Sequence, residues 1–180
     1  MTETRRNNLR IITGSARLPG DYGPLTEHEI RKRAEWEPGS VAPAAEIVPA
    51  TWNGNVLTIC VPCVPVGKPR MTRRDKWKQR PAVMRYREFA DRVRAAAGKV
   101  PAAEQVKSLS WLACFAPPPS WPKEKRINAI GRLHRVKPDR DNLDKAILDA
   151  LYPDGDQAIA LGGVQKVWDW RPSLEIRIEV

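Results

Sequence analysis

The stretch Lys137–Leu151 reads KPDRDNLDKAILDAL, and it carries both a helix and a cluster of acids. Leu143, Ala146, Ile147, Ala150 and Leu151 recur at i, i+3, i+4, i+7 and i+8, which is one apolar stripe of an α-helix. Asp141 is suited to be its N-cap, with Asp144 in the first turn. Lys145 falls on the face opposite the stripe, one turn after Asp141, and Asp149 one turn further on. Asp139 and Asp141 lie two apart in an extended lead-in, so both can point to one side. Asp154 and Asp156 follow on a PDGD loop ahead of an apolar strand.

Outward from this helix, the chain reads as strand, helix, strand, helix, strand pair. Asn55–Val66 is apolar and β-branched, with Pro62 and Pro65 predicting an edge position or an early end. Val83, Tyr86, Ala90, Val93 and Ala97 have helical spacing, and Gly98 can close that helix. Lys107–Phe115 reads as a second strand, and Ser120 as the cap of a short basic helix running to about Ile130. Val164–Trp170 is a third strand. Ser173–Val180 alternates strictly, with Leu174, Ile176, Ile178 and Val180 on one side. The order predicts an α+β, two-layer domain with a mixed sheet and packed helices. Residues 1–54 read as an extension and linker, poorly ordered and mobile or loosely docked, with one short helix predicted at Thr26–Trp36; residues 55–180 form the domain.

Charge is distributed unevenly. The 180-residue chain carries +10, yet residues 1–50 are neutral and residues 137–180 carry −3. Residues 67–99 alone hold twelve basic and three acidic groups, net +9, which is too lopsided for a merely solvated face and points to a polyanion. Within them the loop GKPRMTRRDKWKQRP offers Lys68, Arg70, Arg73, Arg74, Lys76, Lys78 and Arg80 to phosphate. Trp77 stands among these cations and can stack on a base or anchor packing. A carboxylate cluster inside a basic chain is how a nucleic-acid-binding protein concentrates a hard divalent cation, so the pairing points to a metal-dependent nuclease.

Other classes fit less well. No run of about 18 apolar residues predicts a membrane span, and the start MTETRRNNLRIITGS lacks the apolar core of a signal peptide. Three cysteines fit a reducing, cytoplasmic compartment, and the lone CxxC of Cys60 and Cys63 lacks partners for zinc. The other histidine, His28, lies far off in the extension, so His134 has no nearby partner for an HNH-type site.

KPDRDNLDKAILDAL, then GDQAI, then an xxKxW strand at Val164–Trp168 resembles the RusA-type Holliday junction resolvases of bacteria and their phages. GKPRMTRRDKWKQRP and PPPSWPKEKR resemble the phage-borne branch. The resemblance covers about residues 55–180. It implies a homodimeric, Mg²⁺-dependent endodeoxyribonuclease that nicks four-way DNA junctions symmetrically in recombination and repair, in the host cytoplasm. The family's metal-binding aspartates fall on Asp139, Asp141 and Asp156, and its catalytic lysine on Lys145. Gly155 separates Asp154 from Asp156 where the family often has adjacent acids; Asp156 is favoured because it directly precedes the apolar strand. Two other readings are a non-catalytic DNA-binding protein, whose acids cap helices and balance charge, and a metal-dependent hydrolase of nucleotides or RNA.

Overall fold

Alternation decides the sheet. In Val56–Val61 (β2), Ser108–Phe115 (β3) and Ser173–Glu179 (β5), every second side chain is apolar and buried. These stripes form one face, covered by two helices, and the other face carries residues such as Thr58, Glu175 and Arg177, which are only partly buried. The computed structural model describes residues 49–77, 80–154 and 158–180. The predicted helix Thr26–Trp36, Lys78 and Asp156 lie outside the described residues.

Five strands run in the order β1-β2-β5-β3-β4, where β1 is Thr51–Asn53 and β4 is Leu161–Trp168. All neighbours are antiparallel except β3 and β4, which are parallel. The sheet is therefore mixed, and with its helices it makes the α+β architecture that the pattern predicts. It takes in Thr51–Asn53, ahead of Asn55. β2 stops at Val61, before Pro62, and lies inside the sheet rather than at its edge. β4 begins at Leu161, three residues earlier than periodicity predicts, because Leu161 pairs with Leu109 of β3 across an irregularity that takes in Gly162 and Gly163. It ends at Trp168, short of Trp170.

Pro81–Ala97 (α1) buries Val83, Tyr86, Ala90, Val93 and Ala97, all five residues of the predicted stripe, together with Phe89 and Ala96. Gly98, at φ 58°, closes it. Lys123–Ala129 (α2) starts after Pro122, not at Ser120: Trp121 N–H donates to Pro118 O, which places Ser120 inside a turn. Arg140–Leu151 (α3) packs against α1 and buries Leu143, Ala146, Ile147, Ala150 and Leu151, as its stripe requires. None of the described helices is long and apolar enough to cross a membrane.

The cap of α3 is Asp139 rather than Asp141. Both residues suit the role. The helix takes the earlier one, with Leu143 N–H donating to Asp139 O at 3.2 Å, so Asp141 falls in the first turn and Asp144 moves one turn inward.

Candidate active site

The aspartates of α3 divide into two sets. Asp144 is buried and accepts a 2.8 Å hydrogen bond from Trp111 Nε1, with Arg140 Nε 3.7 Å away. Burial raises its pKa, opposed by the Trp111 bond and the Arg140 charge. Asp149 pairs with Lys68 and accepts a 3.1 Å hydrogen bond from Tyr86 Oη. Burial first, then the Asp149 charge, push the Tyr86 hydroxyl up to about 12. These two carboxylates are engaged by partners within the fold. Asp139 and Asp141 differ: both are exposed, and Asp139 makes no side-chain capping bond. Asp141 has Lys145 Nζ at 3.7 Å, with both side chains more than 60% exposed (67% and 62%). Lys145 points away from the core, as the helical spacing requires.

The lead-in to Asp139 is tied to the sheet by Lys166 on β4. Its Nζ donates to Pro138 O at 2.6 Å and Val136 O at 2.8 Å. Partial burial lowers its pKa, and the Asp139 carboxylate opposes that shift. Sequence reading passed over this residue except as part of the xxKxW pattern. The available signal was a lone cation in the middle of a half-buried strand. His134, beside it, is a packing residue: it is 4% exposed, stacks on Phe115 and lies tilted against Trp168, with ring centroids 4.2 Å away in both cases. Burial and the Lys166 charge lower its pKa, which favours the neutral ring.

On the other side, the basic loop seats against the same lead-in. Lys68 N–H donates to Asn142 O at 2.8 Å. A Cβ on Gly67 would meet Pro138 Cβ at 3.0 Å and Asn142 Cβ at 3.1 Å, so only glycine fits without displacement. Further along, the 3₁₀ turn Arg73–Lys76 is built on Asp75, an acid 2% exposed. Its carboxylate accepts from Thr72 N–H (2.6 Å), Thr72 Oγ1 (2.9 Å), and both Nε and Nη2 of Arg80. Arg87 Nη2 reaches its carbonyl at 2.9 Å, and Arg80 Nη2 also holds Arg70 O at 2.9 Å. The Arg80 guanidinium, chiefly by hydrogen bonding, holds the Asp75 carboxyl well below the usual range. Lys68 and Arg80 are thus engaged in shaping the loop, while Arg70, Arg73 and Arg74 stand exposed on it.

The family model described as endodeoxyribonuclease RusA matches residues 61–179. The chain belongs to the RusA endodeoxyribonuclease family. No curated protein and no solved structure matches it. The RusA match takes in the loop, its Asp75 clamp, all of α3 and Lys166, so every feature of the site lies within it.

Among the described residues no group of three or more His, Cys, Asp or Glu could hold a metal ion. The donor chemistry nonetheless suits the hard divalent cation that RusA nucleases use: Asp139 and Asp141 offer exposed carboxylate oxygens not taken up by the fold. Asp156, the third expected donor, lies outside the described residues, and Asp154 is exposed in the turn after α3. The thiols do not compete for this role. Burial pushes Cys63 up to about 11 and raises Cys60 as well, which keeps both protonated and poor ligands.

Proposed function

We propose that the chain is a Mg²⁺-dependent, structure-selective endodeoxyribonuclease that resolves four-way DNA junctions by paired symmetric nicks, in recombination and repair. The observation that carries this is the division of the aspartates. Asp144 and Asp149 serve the fold, whereas Asp139 and Asp141 stand exposed beside Lys145 in a chain of net charge +10.

In this reading Asp139, Asp141 and Asp156 hold Mg²⁺, which when bound lowers the pKa of a water and neutralises developing phosphate charge. Lys145, exposed and adjacent to Asp141, reaches the scissile phosphate. An ammonium has no lone pair to offer a metal, so its part is to stabilise charge on the phosphate oxygens. Arg70, Arg73, Arg74, Lys76 and Lys78 bind backbone phosphates, and Lys68 and Arg80 shape the loop that carries them while adding to its field. A homodimer with two-fold symmetry sets two such sites on a substrate of matching symmetry. The place of action is the cytoplasm of a bacterial host cell.

The test is cleavage of a synthetic four-way junction with Mg²⁺, compared with linear duplex of the same sequence. Asp139→Asn, Asp141→Asn and Asp156→Asn are expected to abolish nicking while junction binding persists. Lys145→Ala is expected to slow single-turnover cutting by about 10²–10³-fold with binding retained. Binding without cutting by the wild-type protein would instead favour a non-catalytic DNA-binding role. A monomer by sedimentation in the presence of junction would rule out paired nicking by a two-fold dimer.

A further inference from the structure

Trp77 is 80% exposed, more than any other large hydrophobic residue among those described. It is not a packing anchor. Its backbone is nevertheless fixed: Trp77 N–H donates to Arg74 O at 3.1 Å and closes the turn built on buried Asp75. The clamp of Asp75 by Thr72 and Arg80, with Arg87 on its carbonyl, holds this turn at the start of α1. An indole held at the tip of a braced turn and left in water is poised for a ligand that covers it.

The surroundings indicate the ligand's charge. Residues 67–80 carry seven basic side chains and one acid, and that acid is already paired with Arg80. Arg73 and Arg74, on the same turn, are exposed. A flat π-face on a turn that also carries exposed arginines suits a nucleic-acid base, whose own π-face stacks on indole while adjacent phosphates meet the arginines. Bases inside a continuous duplex are covered by their neighbours and offer no free face. A base at a branch point can be unstacked at much lower cost.

We propose that Trp77 is a stacking platform for an unstacked DNA base at the branch point, so that this turn selects branched over linear DNA. The inference rests on the junction-cleaving reading above and adds to it the residue that recognises the branch.

The test uses the full-length protein in EDTA, so that nothing is cut. The probes are four-way junctions carrying 2-aminopurine at each branch-point position in turn, together with linear duplex of equal length. Wild type is expected to change the fluorescence at one or more positions. Trp77→Ala should lose that change and bind junction more weakly by roughly 5- to 150-fold, the range that stacking of one base on an aromatic ring spans. Its duplex affinity and melting temperature should stay at wild-type values, because the side chain supports neither. Trp77→Phe should recover much of the binding. Wild-type junction affinity and fluorescence in Trp77→Ala would overturn the proposal. So would a change in sedimenting mass with no change in junction selectivity, since that would assign the ring to a protein interface. Equal affinity of the wild type for junction and duplex would remove the junction-cleaving reading itself, and the platform with it.

Discussion

Replacing Gly67 with alanine tests whether the basic loop and the candidate active site form one mechanical unit. The added Cβ would lie 3.0 Å from Pro138 Cβ and 3.1 Å from Asn142 Cβ. Carbon atoms rest comfortably at about 3.5–4.0 Å, so the loop and the start of α3 must separate by about 0.5 Å or more. Neither neighbour can swing aside, because one belongs to a proline ring and the other is attached directly to the helix backbone. The hydrogen bond from Lys68 N to Asn142 O, now 2.8 Å, sits between the same two segments. Opened by that much it would reach about 3.3 Å, beyond the usual N–H···O range. Overpacking of this kind costs about 1–3 kcal/mol, and each kcal/mol lowers the melting temperature of a domain of this size by roughly 4 °C.

Gly54→Ala is the matched control. Nothing lies within 4 Å of a Cβ there, but φ is +59°, so alanine is strained through its backbone alone, at about 1–2 kcal/mol. Both variants should therefore unfold at lower temperature by circular dichroism. Only Gly67→Ala should also slow single-turnover junction cleavage, by about 10- to 100-fold, measured where all proteins are folded. A Gly67→Ala protein as stable as wild type would refute the packing argument. A destabilised one that cuts as fast as Gly54→Ala would separate the seat of the loop from the chemistry.

Burial raises the pKa of Asp144, so its charge opposes folding at neutral pH, and that penalty disappears as pH falls through the raised value. Asp144→Asn keeps an acceptor for Trp111 and removes the charge; its melting temperature at pH 7 should equal or exceed wild type, and a clear drop would count against this account. Asp75 is shifted the other way, so it contributes stability above the ordinary carboxylate range that is lost as pH falls through its lowered value. Asp75→Asn should melt lower at pH 7, with the deficit shrinking only in strong acid; an equal deficit at all pH values would show that charge is not what the clamp uses. Lys166→Met keeps the length of the stem but leaves Pro138 O and Val136 O without their donor. It should lose about 1–2 kcal/mol of stability and slow cleavage without weakening junction binding, with partial recovery in Lys166→Arg. A loss of binding with unchanged cleavage at saturation would refute this.

The layers were legible because they follow from one-dimensional periods. Alternation in Ser173–Glu179 and the stripes of α1 and α3 each have a single way to be buried. The placement of Asp139, Asp141 and Lys145 at the exposed start of α3 was legible for the same reason. What each charge does was less so, because it depends on partners distant in sequence. Asp144 meets Trp111, 33 residues away, and Asp149 meets Tyr86, 63 away. Asp75 looked like a diluted acid in a basic block, and only folding shows that it organises that block. Lys68 and Arg80 read as two cations among seven, yet carboxylates hold both of them. The choice between Asp139 and Asp141 as cap could not be made from two equally good capping residues.

That choice leads back to how the site is organised. Asp139 and Asp141 are both exposed to water, so packing of their own side chains does not position them. The segment before them, Val136–Pro138, is held instead from separate directions. β4 reaches Val136 O and Pro138 O through Lys166. The basic loop presses Gly67 against Pro138 and anchors Lys68 to Asn142 O and Asp149. Residues 131–134 ladder along β4, with Gly131 N–H on Trp168 O and His134 N–H on Lys166 O. Carboxylates that must hold a cation in fixed geometry gain from a backbone fixed before the cation arrives, because the ordering cost is then met on folding rather than at binding. The same ties join the basic loop to the helix that carries Lys145. A fault in any one of them should therefore appear in the rate of cutting before it appears in the affinity for DNA.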